Sequence, residues 1–215
     1  MKSLSQGNFD LSEEDIRALL ESRARSVQSE INLVTDIHPD RMGSRQAAVL
    51  IPLFSSGGEW HILLTRRTDS VQDHKGQVAF PGGSTENEDA SPENTALRET
   101  FEEIGLKASD VRILGRLDAL ITGTGYLITP VVGVIPWPYP FIISNDEVSR
   151  IFSIPLRWLA DPDHYEERIF YRSENDPVPH LVIFFDQYEG EILWGVSARI
   201  SVNLLIALHL NLPAR

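Results

Sequence analysis

The feature that most constrains this chain is a Pro81-Gly82-Gly83 turn followed by a short helix crowded with carboxylates. Ser91-Pro92 opens that helix. Serine is a favoured N-cap, and proline suits the first helical position, where its missing N–H has no intrahelical partner to lose. Gly105 closes it at the usual glycine position. Between them Leu97, Phe101 and Ile104 recur at i, i+4 and i+7, which predicts one apolar stripe facing a core. At about 100° per residue, Glu99, Glu102 and Glu103 are expected on the opposite side. Like charges at this spacing repel by a few tenths of a kcal/mol, and no lysine in the segment offsets them. A solvated acidic face is the plain reading of such a run. A glycine turn folding back over three carboxylates is, alternatively, what a hard divalent cation such as Mg²⁺ wants.

Composition narrows the function classes. The 215 residues include no cysteine, which removes disulfides, thiolate metal sites and cysteine nucleophiles. The six histidines contain no close pair at helical spacing, against a zinc site. A net charge of −12 argues against a nucleic-acid partner wrapped on a basic face. It leaves room for a small anion, because a few local cations or a metal reverse the field in one cleft. No apolar run reaches the ~18 residues of a membrane span. The first seven residues lack the apolar stretch of a secretory signal, so the expected location is the cytoplasm, with no membrane partner.

Along the chain, residues 1–44 read as an N-terminal helical extension packed on a domain covering 45–215. Ser12 caps EEDIRALLESRAR, with Ile16, Leu19 and Leu20 on one face. Ala47–Phe54 and Trp60–Thr65 predict a hairpin across Ser55-Ser56-Gly57-Gly58. Further strand-like runs are Val111–Thr122, Leu127–Ile135, Arg168–Arg172 and His180–Phe185. Ser197–Leu210 shows helical spacing, and Trp194 reads as core at its start. The outcome is an α/β chain with a mixed sheet flanked by about three helices.

The segment from Gly83 to Leu106 resembles the signature of the Nudix hydrolases: a glycine, five residues, Glu, seven residues, then Arg-Glu, two residues, Glu-Glu, one residue and Gly. Here Asp89 stands at the first Glu, eight residues separate it from Arg98-Glu99, and Thr100 takes an apolar place. Glu102-Glu103, Gly105 and Leu106 match. The resemblance implies an α/β/α sandwich and cleavage of a diphosphate linked to another moiety. It implies metal ligation (Mg²⁺ or Mn²⁺) by Glu99, Glu102 and Glu103, joined by the Gly82 carbonyl. Arg98 either orients Glu99 through an ion pair or is a surface i, i+4 partner of Glu102. Glu147 is a candidate general base or added metal ligand, or else a carboxylate favoured at the start of a helix.

Upstream, Leu63-Leu64-Thr65, Arg67, Gly76-Gln77 and Phe80-Pro81-Gly82-Gly83 resemble the coenzyme A pyrophosphatase branch of that family. Asn145-Asp146-Glu147-Val148 with Pro155-Leu156, and Trp194-Gly195-Val196-Ser197-Ala198, resemble its later motifs. On this resemblance Arg66, Arg67, Gln72, Lys75 and Gly83 are candidate substrate contacts. Gln72 replaces an arginine of the branch signature, the natural partner for the 3′-phosphate of coenzyme A. ADP-ribose or another nucleoside diphosphate sugar is therefore the alternative substrate. A non-catalytic nucleotide-sensing module is the alternative of another class, though such modules are expected to lose box glutamates that this chain keeps. His74 reads as loop surface or a phosphate contact, Phe80-Pro81 as loop packing, and Trp137, Tyr139 and Phe141 as a flap or a rigid loop. A homodimer is possible.

Overall fold

The computed structural model describes residues 9–30, 45–68, 76–171 and 179–210. Gln72, His74 and Lys75 lie outside the described residues. The elements in chain order are α1 (Glu13–Glu30), β1 (Arg45–Ser56), β2 (Glu59–Arg67), β3 (Val78–Ala79), β4 (Gly82–Ser84) and α2 (Pro92–Ile104). They continue with β5 (Arg112–Arg116), β6 (Leu120–Ile121), β7 (Tyr126–Val134), β8 (Val148–Pro155) and α3 (Leu156–Leu159). β9 (Tyr165–Phe170), β10 (His180–Tyr188), β11 (Glu191–Trp194) and α4 (Gly195–Ala207) complete the series.

β1 to β8 form a mixed sheet ordered β3-β2-β1-β7-β5, with β4 on β1, β6 on β7 and β8 on β2. β1 and β7 run parallel, from Arg45 opposite Tyr126 to Leu53 opposite Val134. β1 is apolar on both faces because helices cover both. Ala48, Leu50 and Phe54 point into one core with Ala96 and Ile104 of α2. Ile51 and Leu53 point into the other, with Ile16 and Leu20 of α1 and the buried residues of α4. Period-two alternation thus feeds two cores from one strand, giving the α/β/α sandwich. A separate three-stranded sheet, β11-β10-β9, carries the chain into α4.

The site follows from a divergence within the large sheet. β1 and β2 pair only around their shared turn, at Leu53–Ser56 with Glu59–Ile62. Further along, the β3–β4 segment fills the gap. Gly82-Gly83-Ser84 pairs with Ala47–Val49 of β1, and Val78-Ala79 with Thr65-Arg66 of β2. The glycine turn is thereby held between the two strands and over the start of α2.

Several elements differ from the sequence expectation. Val111–Thr122 is not one strand. β5 ends at Arg116, and β6 is a separate two-residue strand. β5 also carries a register shift against β7 between Ile113 and Gly115. Trp194 is not core: it is 39% exposed and stacks on Phe184 with ring centroids 5.6 Å apart. The Trp137–Phe141 segment is tied down, since Trp137 stacks on Phe54 at 3.9 Å and the Tyr139 hydroxyl donates to Asp110 at 2.8 Å.

Candidate active site

α2 has the caps its sequence calls for. The Ser91 side chain accepts from the Asn94 N–H, Pro92 is the first helical residue, and the Gly105 N–H donates to the Phe101 carbonyl. The buried face, however, is one residue out of phase with the predicted stripe. Thr95, Ala96, Thr100, Glu103 and Ile104 are buried, whereas Phe101 is 53% exposed and Leu97 only half-buried. Small side chains at 96 and 100 let the helix approach β1 and β4. The Thr100 hydroxyl is satisfied within the helix by donating to the Ala96 carbonyl at 2.6 Å. Glu103 therefore does not lie opposite the core, as expected, but inside it.

Glu103 Oε2 accepts the Gly82 N–H at 3.2 Å, and Arg67 Nη1 stands 3.9 Å from Oε1. Burial dominates and pushes its carboxyl up to about 8, with the nearby negative charges of Glu147 and Glu99 adding to the effect. Burial likewise raises Glu99, against the pull of Arg98. Glu99 lies against Gly83 so closely that a Cβ there would sit 2.5 Å from its carboxyl carbon. Gly82 has φ +150°, and its Cβ would meet the Ala48 carbonyl oxygen at 2.4 Å. Each glycine thus has its own steric reason: one admits a carboxylate, the other the backbone of β1.

Arg98 binds several acceptors at once. Its Nε and Nη2 donate to the two oxygens of Asp89 at 3.2 and 3.0 Å, and Nη2 also to the Ser84 carbonyl at 2.9 Å. Nη1 lies 3.1 Å from Glu99 and 3.2 Å from Glu102. Both sequence readings of Arg98 are therefore present in the geometry, and the two-pronged grip by Asp89 is the partner that sequence reasoning missed. Arg98 holds the Asp89 carboxyl down at about 2. Asp89 is one methylene shorter than the Glu of the family pattern, and the extra residue before Arg98 accompanies that difference.

Glu147 sits on the exposed turn Asn145–Glu147. That turn is fastened to α2 by the Ser144 N–H donating to the Glu103 carbonyl at 2.9 Å. It is fastened to β2 by the Thr68 N–H donating to the Glu147 carbonyl at 2.9 Å. Arg66 and Arg67, adjacent on a strand, point to opposite faces. Arg67 goes to Glu103, whereas Arg66 donates to Ser149 and pairs with Glu191 at 3.5 Å. The structure thus brings Arg67, Gly82, Gly83, Arg98, Glu99, Glu103 and Glu147 together and leaves Arg66 outside. Glu102 is mostly exposed and held by Arg98.

Among the described residues no three acidic or imidazole side chains converge as a ready-made metal cage. The donor chemistry nevertheless suits a hard cation. Glu99 and Glu103 supply two largely buried carboxylates whose proton affinity is raised chiefly by burial, with neighbouring carboxylates adding to it, and a bound cation would offset that cost of desolvated charge. All side chains concerned offer oxygen only.

Residues 44–174 match the NUDIX domain model. The chain belongs to the Nudix family. It is 40% identical over 173 residues to the uncharacterized Nudix hydrolase NudL of Yersinia pestis strain Pestoides F, spanning 80% of this chain and 84% of that one. The same figures hold for NudL of Yersinia pseudotuberculosis strain YPIII. Among solved structures, a MutT/nudix family protein from Enterococcus faecalis is similar at 14% identity and TM-score 0.47, covering 91% of this chain and 75% of that one. As a Nudix hydrolase the chain cleaves a pyrophosphate bond in a nucleoside diphosphate derivative, and Nudix hydrolases generally use divalent metal ions. Among the described residues no helix is long and apolar enough to cross a membrane.

Proposed function

We propose that this Nudix hydrolase acts on coenzyme A or a derivative, with Mg²⁺ or Mn²⁺, releasing 3′,5′-ADP and 4′-phosphopantetheine. One observation carries the reading. Arg67, the arginine of the Leu-Leu-Thr-x-Arg motif, stands beside the box carboxylate Glu103, and its Nε is buried without a hydrogen-bond partner. A buried unpaired guanidinium N–H is costly, and a phosphate oxygen of the substrate supplies the missing acceptor.

Glu99, Glu103 and, after turning from Arg98, Glu102 would hold the cation, with the Gly82 carbonyl as a further oxygen. The cation supplies charge neutralisation on the pyrophosphate oxygens and acidifies bound water. Arg67 holds a phosphate oxygen. Arg98, itself clamped by Asp89, keeps Glu99 against Gly83. Water attacks one phosphorus, the bridging P–O bond breaks, and a carboxylate takes the water proton. Glu147 is the proposed acceptor, being exposed and close enough for its charge to act on both Glu99 and Glu103.

Gln72 in place of the signature arginine favours ADP-ribose as the second reading. Product analysis with coenzyme A, dephospho-coenzyme A, ADP-ribose and NADH, each with Mg²⁺ and with Mn²⁺, decides between them. Release of 3′,5′-ADP with the highest kcat/KM on coenzyme A is the expected result. A clear preference for ADP-ribose would leave only the family assignment.

A further inference from the structure

The Trp194-Gly195-Val196-Ser197 segment does not touch the carboxylates, yet it forms one wall of a cavity that reaches them. The cavity has a volume of about 410 Å³ and lies between the turn Thr122–Gly125, the β1–β3 surface and the start of α4. That size is within the roughly 300–1,000 Å³ of small-molecule sites. Arg67 and Gly82, the two neighbours of Glu103, line one end. Whatever extends from a pyrophosphate bound at Glu103 therefore has this space before it.

The walls are apolar for most of their extent, with the branched aliphatics Val49, Val78, Ile128, Val182, Val196 and Ile200 joined by Phe80 and Trp194. Among the described lining residues Arg67 carries the only charge, and it stands at the Glu103 end. A second phosphate further in would meet mostly apolar side chains and, among the described lining residues, no further cation, at a severe desolvation cost. The other polar side chains along it are neutral: the Gln77 amide and the hydroxyls of Thr122, Thr124, Tyr126 and Ser197. The Trp194 side chain makes no capping hydrogen bond at the start of α4, which lines the same wall. Apolar walls with scattered neutral donors and acceptors suit an alkyl chain interrupted by amides better than a phosphorylated nucleoside.

We propose that this cavity binds the neutral, amide-containing arm of the substrate, the pantetheine half of a coenzyme A-type molecule. The nucleotide half lies outside it. The inference rests on the coenzyme A reading for its chemistry and adds which half is read by Trp194–Ser197. It also gives Gln72 a context: an enzyme that selects through the arm needs less from the 3′-phosphate.

The test is calorimetric binding of two probes, pantetheine and 3′,5′-ADP, to the full chain and to Val196→Trp and Thr124→Trp. Val196 is 41% exposed and Thr124 is exposed, so tryptophan at either position narrows the mouth without entering a core. Pantetheine is expected to bind the parent protein and to weaken roughly tenfold or more in both variants, the scale of steric discrimination in an apolar pocket. 3′,5′-ADP is expected to stay within about twofold, well under the 1.4 kcal/mol that a decade of affinity represents. Loss of 3′,5′-ADP binding instead would put the nucleotide in the cavity and overturn the proposal. So would pantetheine binding that is absent from the parent protein or indifferent to both substitutions. Turnover of coenzyme A by the parent is measured separately. Turnover with indifferent pantetheine binding removes this inference and keeps the substrate reading, whereas no turnover with cavity-dependent pantetheine binding does the reverse.

Discussion

At the scale of single residues, Glu103 is a carboxylate the metal-free fold would rather keep protonated. Its group is raised from the usual 4.5 to about 8 by burial. A group whose folded value is raised contributes stability below its unfolded value and loses it as pH climbs through the folded one. Charging Glu103 therefore weakens the metal-free protein progressively between about pH 4.5 and pH 8. Glu103→Gln keeps an acceptor for the Gly82 N–H and removes this charge. In excess chelator the variant is expected to melt at or above the parent at pH 8–9, with the difference closing near pH 5. Its kcat with metal present should fall roughly 10²-fold or more, the scale of losing one group of this kind. Thermal melts across that pH range together with steady-state rates check both halves. A variant that melts well below the parent at pH 8 would mean that the ionised Glu103 holds the fold together.

At the scale of elements, the two glycines of the turn make opposite predictions although they are adjacent. A methyl on Gly83 collides with the carboxylate of Glu99, the far end of a flexible side chain that can swing away. A methyl on Gly82 collides with backbone of β1, which cannot, and is added at φ +150°. Gly83→Ala should leave thermal stability within ~1 kcal/mol while lowering metal affinity and kcat, because Glu99 loses its seat. Gly82→Ala should cost on the order of 3 kcal/mol or more from the close contact and the strained backbone together. Melting curves and metal titrations on the two variants separate these outcomes. The same segment shows how much of the site could be read in advance. The glycines, both caps of α2 and the run Arg98 to Glu103 are local chemistry, and they were legible. The phase of α2 was not. Spacing alone selects Leu97, Phe101 and Ile104, but Ala96 and Thr100 are what a sheet at close range accepts. Periodicity does not report how near the partner layer lies. Asp89 was seen as a departure from a pattern, yet its grip on Arg98 depends on how the intervening loop folds. β3 and β4 are too short to carry a period, and β8 breaks its alternation at Ile151-Phe152, so they emerge only from pairing.

At the scale of the whole molecule, the carboxylates lie on one face of the sheet and most of the apolar bulk on the other. α2 and its carboxylates share a core with Ala48, Leu50 and Phe54, whereas α1, α3 and α4 share the opposite core with Ile51, Leu53, Ile62 and Leu64. The sequence pattern picked out α1, α2 and α4 but not the four-residue α3, and it did not tell which side of the sheet each would take, because β1 is apolar on both faces. This layering makes a prediction about α1. Ile16 and Leu20 are 0% and 2% exposed, and α1 is pinned further by Arg23 on Asp118 at 3.0 Å and by the Trp60 indole donating to the Leu11 carbonyl at 2.7 Å. The surface ion pairs add little, so the apolar pair carries most of the attachment. Truncating a fully buried Ile or Leu to Ala costs about 2–5 kcal/mol. At roughly 2–4 °C per kcal/mol for a chain of this size, Ile16→Ala should lower Tm by about 5–15 °C. Well below the melt its kcat and KM should match the parent, since a β-sheet separates α1 from Glu99 and Glu103. Differential scanning fluorimetry and initial rates at low temperature check the two parts independently. An unchanged Tm would mean that α1 is an appendage on a domain complete without it. A lowered Tm with altered KM would mean that the far core sets the geometry of the site through β1. The expected pattern, lower Tm with unchanged kinetics, makes α1 part of the folded unit and no part of its chemistry.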